Sequence, residues 1–239
     1  MTDSATPTVV LVHGAFADAS SWNGVIERLQ ARGVEVTAPA NPLRGIATDS
    51  AYLAGVFEET PGPVLAVGHS YGGAVITNAA AKAKNVVGLV YVAAFAPEEG
   101  EALGEAEAGS KDSVLMSALM PLHYPSNGGE AVEFAIKPES FHDAFAADLP
   151  AEETAVLAAT QRPVAETAFS EPTGKPAWRD RPSWAVVATG DKAAGADVVR
   201  SMAKRAGATI TEVEGSHVIM ISQPEAVTDV ILDAVAAVG

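Results

Sequence analysis

The sequence predicts an α/β protein: a doubly wound, mainly parallel sheet of about six strands, interrupted late by a helical insertion. Three observations carry this. Short apolar, β-branched runs recur without alternating polar residues, the pattern of strands covered on both faces. Helix-length segments with start and stop signals separate those runs. Between about residues 98 and 180 the alternation stops.

Taken in order, the strand signals are 8–13 (TVVLVH), 34–38 (VEVTA), 64–69 (VLAVGH), 86–94 (VVGLVYVAA), 183–189 (SWAVVAT) and 208–213 (ATITEV). Helices are expected over 20–31, with Ser20 and Ser21 as cap candidates, and over 48–59, which stops before Pro61-Gly62-Pro63. Residues 71–84 and 196–206 read likewise, and 224–237 begins with Pro224 at a favoured first-turn position. Strand and helix alternate at both ends of the chain, so the crossovers are right-handed βαβ units. The stretch 98–180 offers no convincing strand. It carries acidic, Ala-rich segments of helical spacing, such as ESFHDAFAADL and AEETAVLAAT, between PSNGG, QRP and EPTGKP. It reads as a helical insertion seated over a core made of 1–97 and 181–239.

A length of 239 residues suits one large domain, and 48% hydrophobic with 19% charged residues marks a globular chain. The net charge of −15 repels phosphate backbones and anionic headgroups, so neither nucleic acid nor a membrane surface is an expected partner. The absence of cysteine removes disulfides, thiolate nucleophiles and thiolate metal sites together. MTDSATPTVV does not read as a secretory signal, and no apolar run reaches the roughly 18 to 20 residues of a membrane span. The expectation is a soluble cytoplasmic protein, monomeric or homodimeric.

Gly68-His69-Ser70-Tyr71-Gly72 matches G-x-S-x-G, preceded by a buried-strand run and followed by a helix pattern. In a nucleophile elbow the serine occupies a strained strand-to-helix turn, and its neighbours must be small so that backbones can approach. The bend would expose Ser70 Oγ at the carboxyl end of a central strand, where ligands of such sheets bind. The competing reading is a glycine-rich packing turn.

A serine hydroxyl needs a base, and the base needs an orienting group. Of five histidines, His13 ends the first strand, His69 lies inside the elbow, and His123 and His142 fall in the insertion. His217, in EGSHVIMISQPEAV, stands past the last strand and before the last helix, where a loop can carry an imidazole over the elbow; it is the preferred base. Chain order Ser, Asp, His selects Asp191, at the end of SWAVVATGD, over Asp197 in the following helix pattern. The oxyanion needs two amide donors. Tyr71 supplies one, and the loop LVHGAF supplies the other, Ala15 first and Phe16 second.

The order LVHGAF, GHSYGG, TGDK and GSH resembles the α/β-hydrolase superfamily over essentially the whole chain. More narrowly it is similar to the small carboxylesterases that include plant salicylate methyl-ester esterases and hydroxynitrile lyases. The resemblance implies Ser70, Asp191 and His217 as a catalytic triad, Ala15 and Tyr71 as the oxyanion hole, and 98–180 as a cap that shapes the acyl and alcohol pockets. Lyases of this type carry threonine after the first histidine and lysine after the catalytic one. Gly14 and Val218 stand there, which favours hydrolysis.

The expected chemistry is therefore hydrolysis of a small neutral ester or lactone through an acyl-enzyme, with no metal and no organic cofactor. Phe16, Met116, Leu119, Met120, Phe141, Phe145 and Phe169 are candidate pocket residues, and 16 acidic against 5 basic residues between 98 and 180 disfavour polyanionic substrates. Two alternatives use the same residues: a cofactor-free perhydrolase or haloperoxidase-like enzyme, and a non-catalytic small-ligand receptor on a hydrolase fold.

Overall fold

The computed structural model describes residues 6–126 and 128–239. From the N-terminus the chain runs β1 (Thr8–Val12), α1 (Asn23–Ala31), β2 (Val36–Thr37), α2 (Ile46–Glu59), β3 (Val64–His69), α3 (Tyr71–Ala79) and β4 (Val86–Val92). There follow α4 (Leu103–Ala108), α5 (Leu115–Ala118), β5 (Leu119–Ser126), β6 (Gly129–Ile136), α6 (Pro138–Phe145), α7 (Ala151–Thr160), β7 (Val164–Ala165) and α8 (Thr167–Ser170). The chain closes with β8 (Ser183–Ala188), α9 (Ala196–Arg205), β9 (Thr209–Val213), α10 (Ile219–Ser222) and α11 (Pro224–Val238).

Six parallel strands form one sheet in the order β2-β1-β3-β4-β8-β9. The unbroken apolar runs account for its centre: β3 is buried along its whole length and Val9 to Val12 are inaccessible. Edge strands are cut differently. The five-residue run at 34–38 pairs only through Val36 and Thr37, and β9 leaves most of its residues partly or fully exposed. Right-handed crossovers place α1 and α11 together on one face and α2 and α3 on the other. Strand order reverses between β1 and β3, so the loops after these two strands diverge and open a crevice at the carboxyl edge.

The segment between β4 and β8 departs from the all-helical expectation. Besides five helices it holds a three-stranded sheet in the order β5-β6-β7, antiparallel, with β5 and β6 paired from Leu119–Ile136 to Ser126–Gly129. Val132, Phe134 and Ile136 alternate with Ala131, Glu133 and Ala135, a period-2 signal embedded in Ala-rich surroundings. Pro121 and Pro125 argue against a central strand but are allowed at an edge, and β5 is an edge.

Candidate active site

Ser70 follows β3 and caps α3 with φ +51° and ψ −123°, a left-handed backbone that costs a serine on the order of 1–3 kcal/mol. The surroundings hold it there. Its amide donates to Val92 O (3.3 Å), and its carbonyl accepts from Gly73 N (2.9 Å) and Phe95 N (3.2 Å). The flanking glycines are required by contact: a Cβ at Gly72 would stand 2.4 Å from Val12 O, and one at Gly73 would stand 2.5 Å from Phe95 O.

Asp191 lies in the turn between β8 and α9. Its Oδ1 accepts from the amides of Ala193 (2.9 Å) and Ala194 (3.0 Å), while Oδ2 pairs with His217 Nδ1 at 2.9 Å. Both side chains are only 1% exposed. A carboxylate so held fixes the imidazole with hydrogen on Nδ1, leaving Nε2 a lone pair. That Nε2 is buried and has no hydrogen-bond partner among the described residues.

Two further groups that sequence reasoning did not assign hold the Ser216–His217 segment. His69 Nε2 donates to the His217 carbonyl (3.0 Å), and the two rings lie 4.6 Å apart. Burial, reinforced by His217, holds His69 well below the usual histidine range, so this ring is neutral. Asp148, just after α6, accepts from the Ser216 amide (2.9 Å) and from the Ser216 hydroxyl, tying the loop to the insertion. Burial would raise the Asp148 carboxyl, yet the hydrogen bonds it receives prevail and keep it below the usual range. Neither contact has a local signal in sequence.

The loop after β1 presses on the elbow: a Cβ at Gly14 would stand 2.7 Å from Ser70 Cβ. Phe16 is left-handed (φ +60°), and its amide donates to Arg162 O at 3.2 Å. Among the described residues the Ala15 and Tyr71 amides donate no hydrogen bond. The Tyr71 hydroxyl donates to buried Asp49 (2.8 Å), anchoring the residue after Ser70. His13 donates from Nδ1 to Gly14 O (2.9 Å), and Nε2 accepts from Asn41 N (2.9 Å). Burial above all, with the Arg162 guanidinium adding, pulls His13 down to about 4.

A shallow cleft, partly open to solvent, is lined by Phe16, Asp18, Phe141, Phe145, Leu157, Val218 and Ile221, among others. It abuts the histidine through Phe145, whose ring lies 5.0 Å from that of His217, and Phe16 meets Phe145 edge-on at 6.1 Å. Of the apolar residues expected at a pocket, Phe16, Phe141 and Phe145 line this cleft and the others do not. Met116 is 58% exposed elsewhere, Leu119 and Met120 are committed to pairing with β6, and Phe169 packs on Phe134 at 6.3 Å. His123 and His142 are surface groups beside Glu130 and Asp143. Among the described residues no cluster of three or more His, Asp or Glu could hold a metal ion, and no helix is long and apolar enough to cross a membrane.

The chain is 35% identical over 110 residues to a carbendazim-hydrolysing esterase of Nocardioides sp. (strain SG-4G), a match spanning 39% of this chain and 44% of that protein. Among solved structures it is similar to polyneuridine aldehyde esterase (TM-score 0.81, 20% identity, 96% of this chain and 99% of that one). It is also similar to a pyrethroid hydrolase of Sphingobium faniae JZ-2 (TM-score 0.77, 20% identity, 98% of each chain). A family model described as the alpha/beta hydrolase family matches residues 9–230, in keeping with the six-stranded parallel sheet: the chain belongs to the alpha/beta hydrolase family.

Proposed function

We propose that this protein is a serine carboxylesterase that cleaves small neutral esters or lactones through an acyl-enzyme. The observation that carries the reading is the buried 2.9 Å pairing of Asp191 with His217 Nδ1, with Nε2 unpartnered among the described residues, in a chain whose Ser70 is held in a strained strand-to-helix turn. The His217 ring lies 4.6 Å from that of His69, the residue next to Ser70, tilted against it by 50°. Catalytic hydrogen bonds of this kind tighten once substrate completes the site.

In this mechanism His217 takes the Ser70 proton as Oγ attacks the carbonyl, and the free Ala15 and Tyr71 amides hold the oxyanion. Each such donor contributes about 3–4 kcal/mol to lowering the barrier. The alcohol leaves with the proton from His217; water then attacks the acyl-enzyme by the same route, regenerating Ser70. Asp191 stays ionised throughout and stabilises the imidazolium. The apolar cleft walls favour an uncharged substrate, as does the acidic surface, and residues 98–180 serve as the cap over the core 1–97 and 181–239. The carbendazim-hydrolysing activity named for the relative is compatible with this class, as are its esterase neighbours.

Ser70→Ala tests the reading. Hydrolysis of p-nitrophenyl acetate and butyrate should fall by about a thousandfold or more, with covalent labelling by a fluorophosphonate lost and the thermal melt unchanged. Wild-type protein that neither labels nor hydrolyses would point to a binding protein on this fold.

A further inference from the structure

Arg162 belongs to the segment between β4 and β8, yet it makes its contacts in the loops after β1 and β2. Its carbonyl accepts the Phe16 amide at 3.2 Å. Its Nη1 donates to Asn41 O at 3.0 Å and approaches His13 Nε2 at 3.3 Å, sharing that lone pair with the Asn41 amide. Asn41 closes the ring by donating from Nδ2 to His13 O at 3.0 Å. One residue thus braces both ends of the four-residue stretch His13–Phe16.

That stretch does not sit at a backbone minimum, because Phe16 is held at φ +60°, where an aromatic residue is disfavoured. Strain of this kind persists only where surrounding contacts over-determine it. The same segment braces a second strained residue: Leu43 (φ +61°) accepts at its carbonyl from the Ala165 amide at 2.9 Å. Gln161 locks the segment itself, its side chain accepting from Ile136 N (2.8 Å) and donating to Ile136 O (2.9 Å). Arg162 thus occupies the Phe16 amide, while the Ala15 amide donates no hydrogen bond among the described residues.

We propose that Arg162 is a positioning residue for the oxyanion hole, holding the Gly14-Ala15 turn against Ser70 and making its assembly depend on the docked 161–165 segment. The inference rests on the esterase reading above and adds to it the source of the hole's rigidity. A donor aimed by a distant brace acts where charge develops, so its loss falls on kcat and spares KM.

The experiment compares wild type, Arg162→Met, Arg162→Lys and Arg162→Ala on one aryl ester. Arg162→Met should lose about 10- to 100-fold in kcat, less than the 10²–10³ for outright removal of a donor, with KM within about threefold. The Ki of an aryl trifluoromethyl ketone, whose adduct carries the oxyanion, should rise by the same factor as kcat falls. Added guanidinium should restore part of the activity of Arg162→Ala. Lysine, which keeps the charge and loses the fork, should fall between; it also serves if the methionine variant does not fold. Wild-type kcat in Arg162→Met, or an equal loss in KM and no change in ketone affinity, would overturn the inference and leave the esterase reading intact. Wild type that turns over no ester would overturn both.

Discussion

At the scale of single residues, the most unusual side chain outside the mechanism is Glu107 in α4. It is 3% exposed, its Oε2 has no partner among the described residues, and its Oε1 lies 3.1 Å from the Ser113 hydroxyl oxygen. Ser113 directs its one proton to the nearer Ala193 O (2.6 Å), in the turn that cradles Asp191. Burial raises the Glu107 carboxyl from 4.5 to about 7, with Asp191 adding and Ser113 and His217 opposing. The consequence for stability has a definite sign. Between 4.5 and about 7 the folded protein holds a proton that the unfolded chain has released, so stability falls as pH rises through that window. The full penalty, about 3 kcal/mol, is reached above it. Glu107→Gln removes the titration and keeps the Ser113 acceptor. Its melting temperature should therefore gain on wild type by several °C more at about pH 8 than at about pH 5, at about 2–4 °C per kcal/mol. A constant difference across that range would mean Glu107 is ionised when folded. Glu107 had no local signature, because one acidic residue in an acidic segment differs from its neighbours only once the chain is folded.

At the scale of elements, β3, the elbow and α3 form the unit whose sequence and structure agree most closely. The run 64–69 is a strand over those same residues, and the glycines that followed it are the ones the close backbones demand. A methyl group at Gly72 meets Val12 O and His13 O, both backbone atoms that cannot rotate aside. Gly72→Ala should consequently cost about 1–3 kcal/mol in denaturant unfolding and push α3 off β1. Its esterase kcat should fall with it, since the displaced loop carries Ala15; unchanged stability would show that α3 can shift freely. Gly33 is the contrast: its Cβ position is open, and only φ +72° restricts it. Elements at the sheet edges were less legible, as the two-residue β2 illustrates, because pairing on one side lets a β-branched run fray. In the insertion, local helical composition concealed the β5–β6 hairpin, whose stability comes from cross-strand pairing rather than propensity.

At the scale of the whole molecule, 30 acidic against 15 basic residues make self-repulsion a global term. Exposed pairs such as Arg28–Glu225 and Lys175–Asp180 offset it little, each contributing under about 1 kcal/mol. Raising salt from about 0.01 to 0.1 M, which shortens the Debye length from about 30 to 10 Å, should thus raise the melting temperature. A fall would mean that the ion pairs outweigh the net charge. The sequence by itself determined the alternation of strand and helix, the strained serine between glycines, and the order in which hydroxyl, carboxylate and imidazole occur, because each is written in residue type and short spacing. Only the tertiary structure decided which side chains meet: that His69 bonds the His217 carbonyl and Asp148 bonds Ser216, that Arg162 crosses from the segment between β4 and β8 to the first loop, and that three of the expected pocket residues share a cleft while Met116, Leu119 and Phe169 do not. The physical reason is that local propensities act over a few residues, whereas these contacts join segments up to 149 residues apart, and only packing of the whole chain brings them within hydrogen-bond reach.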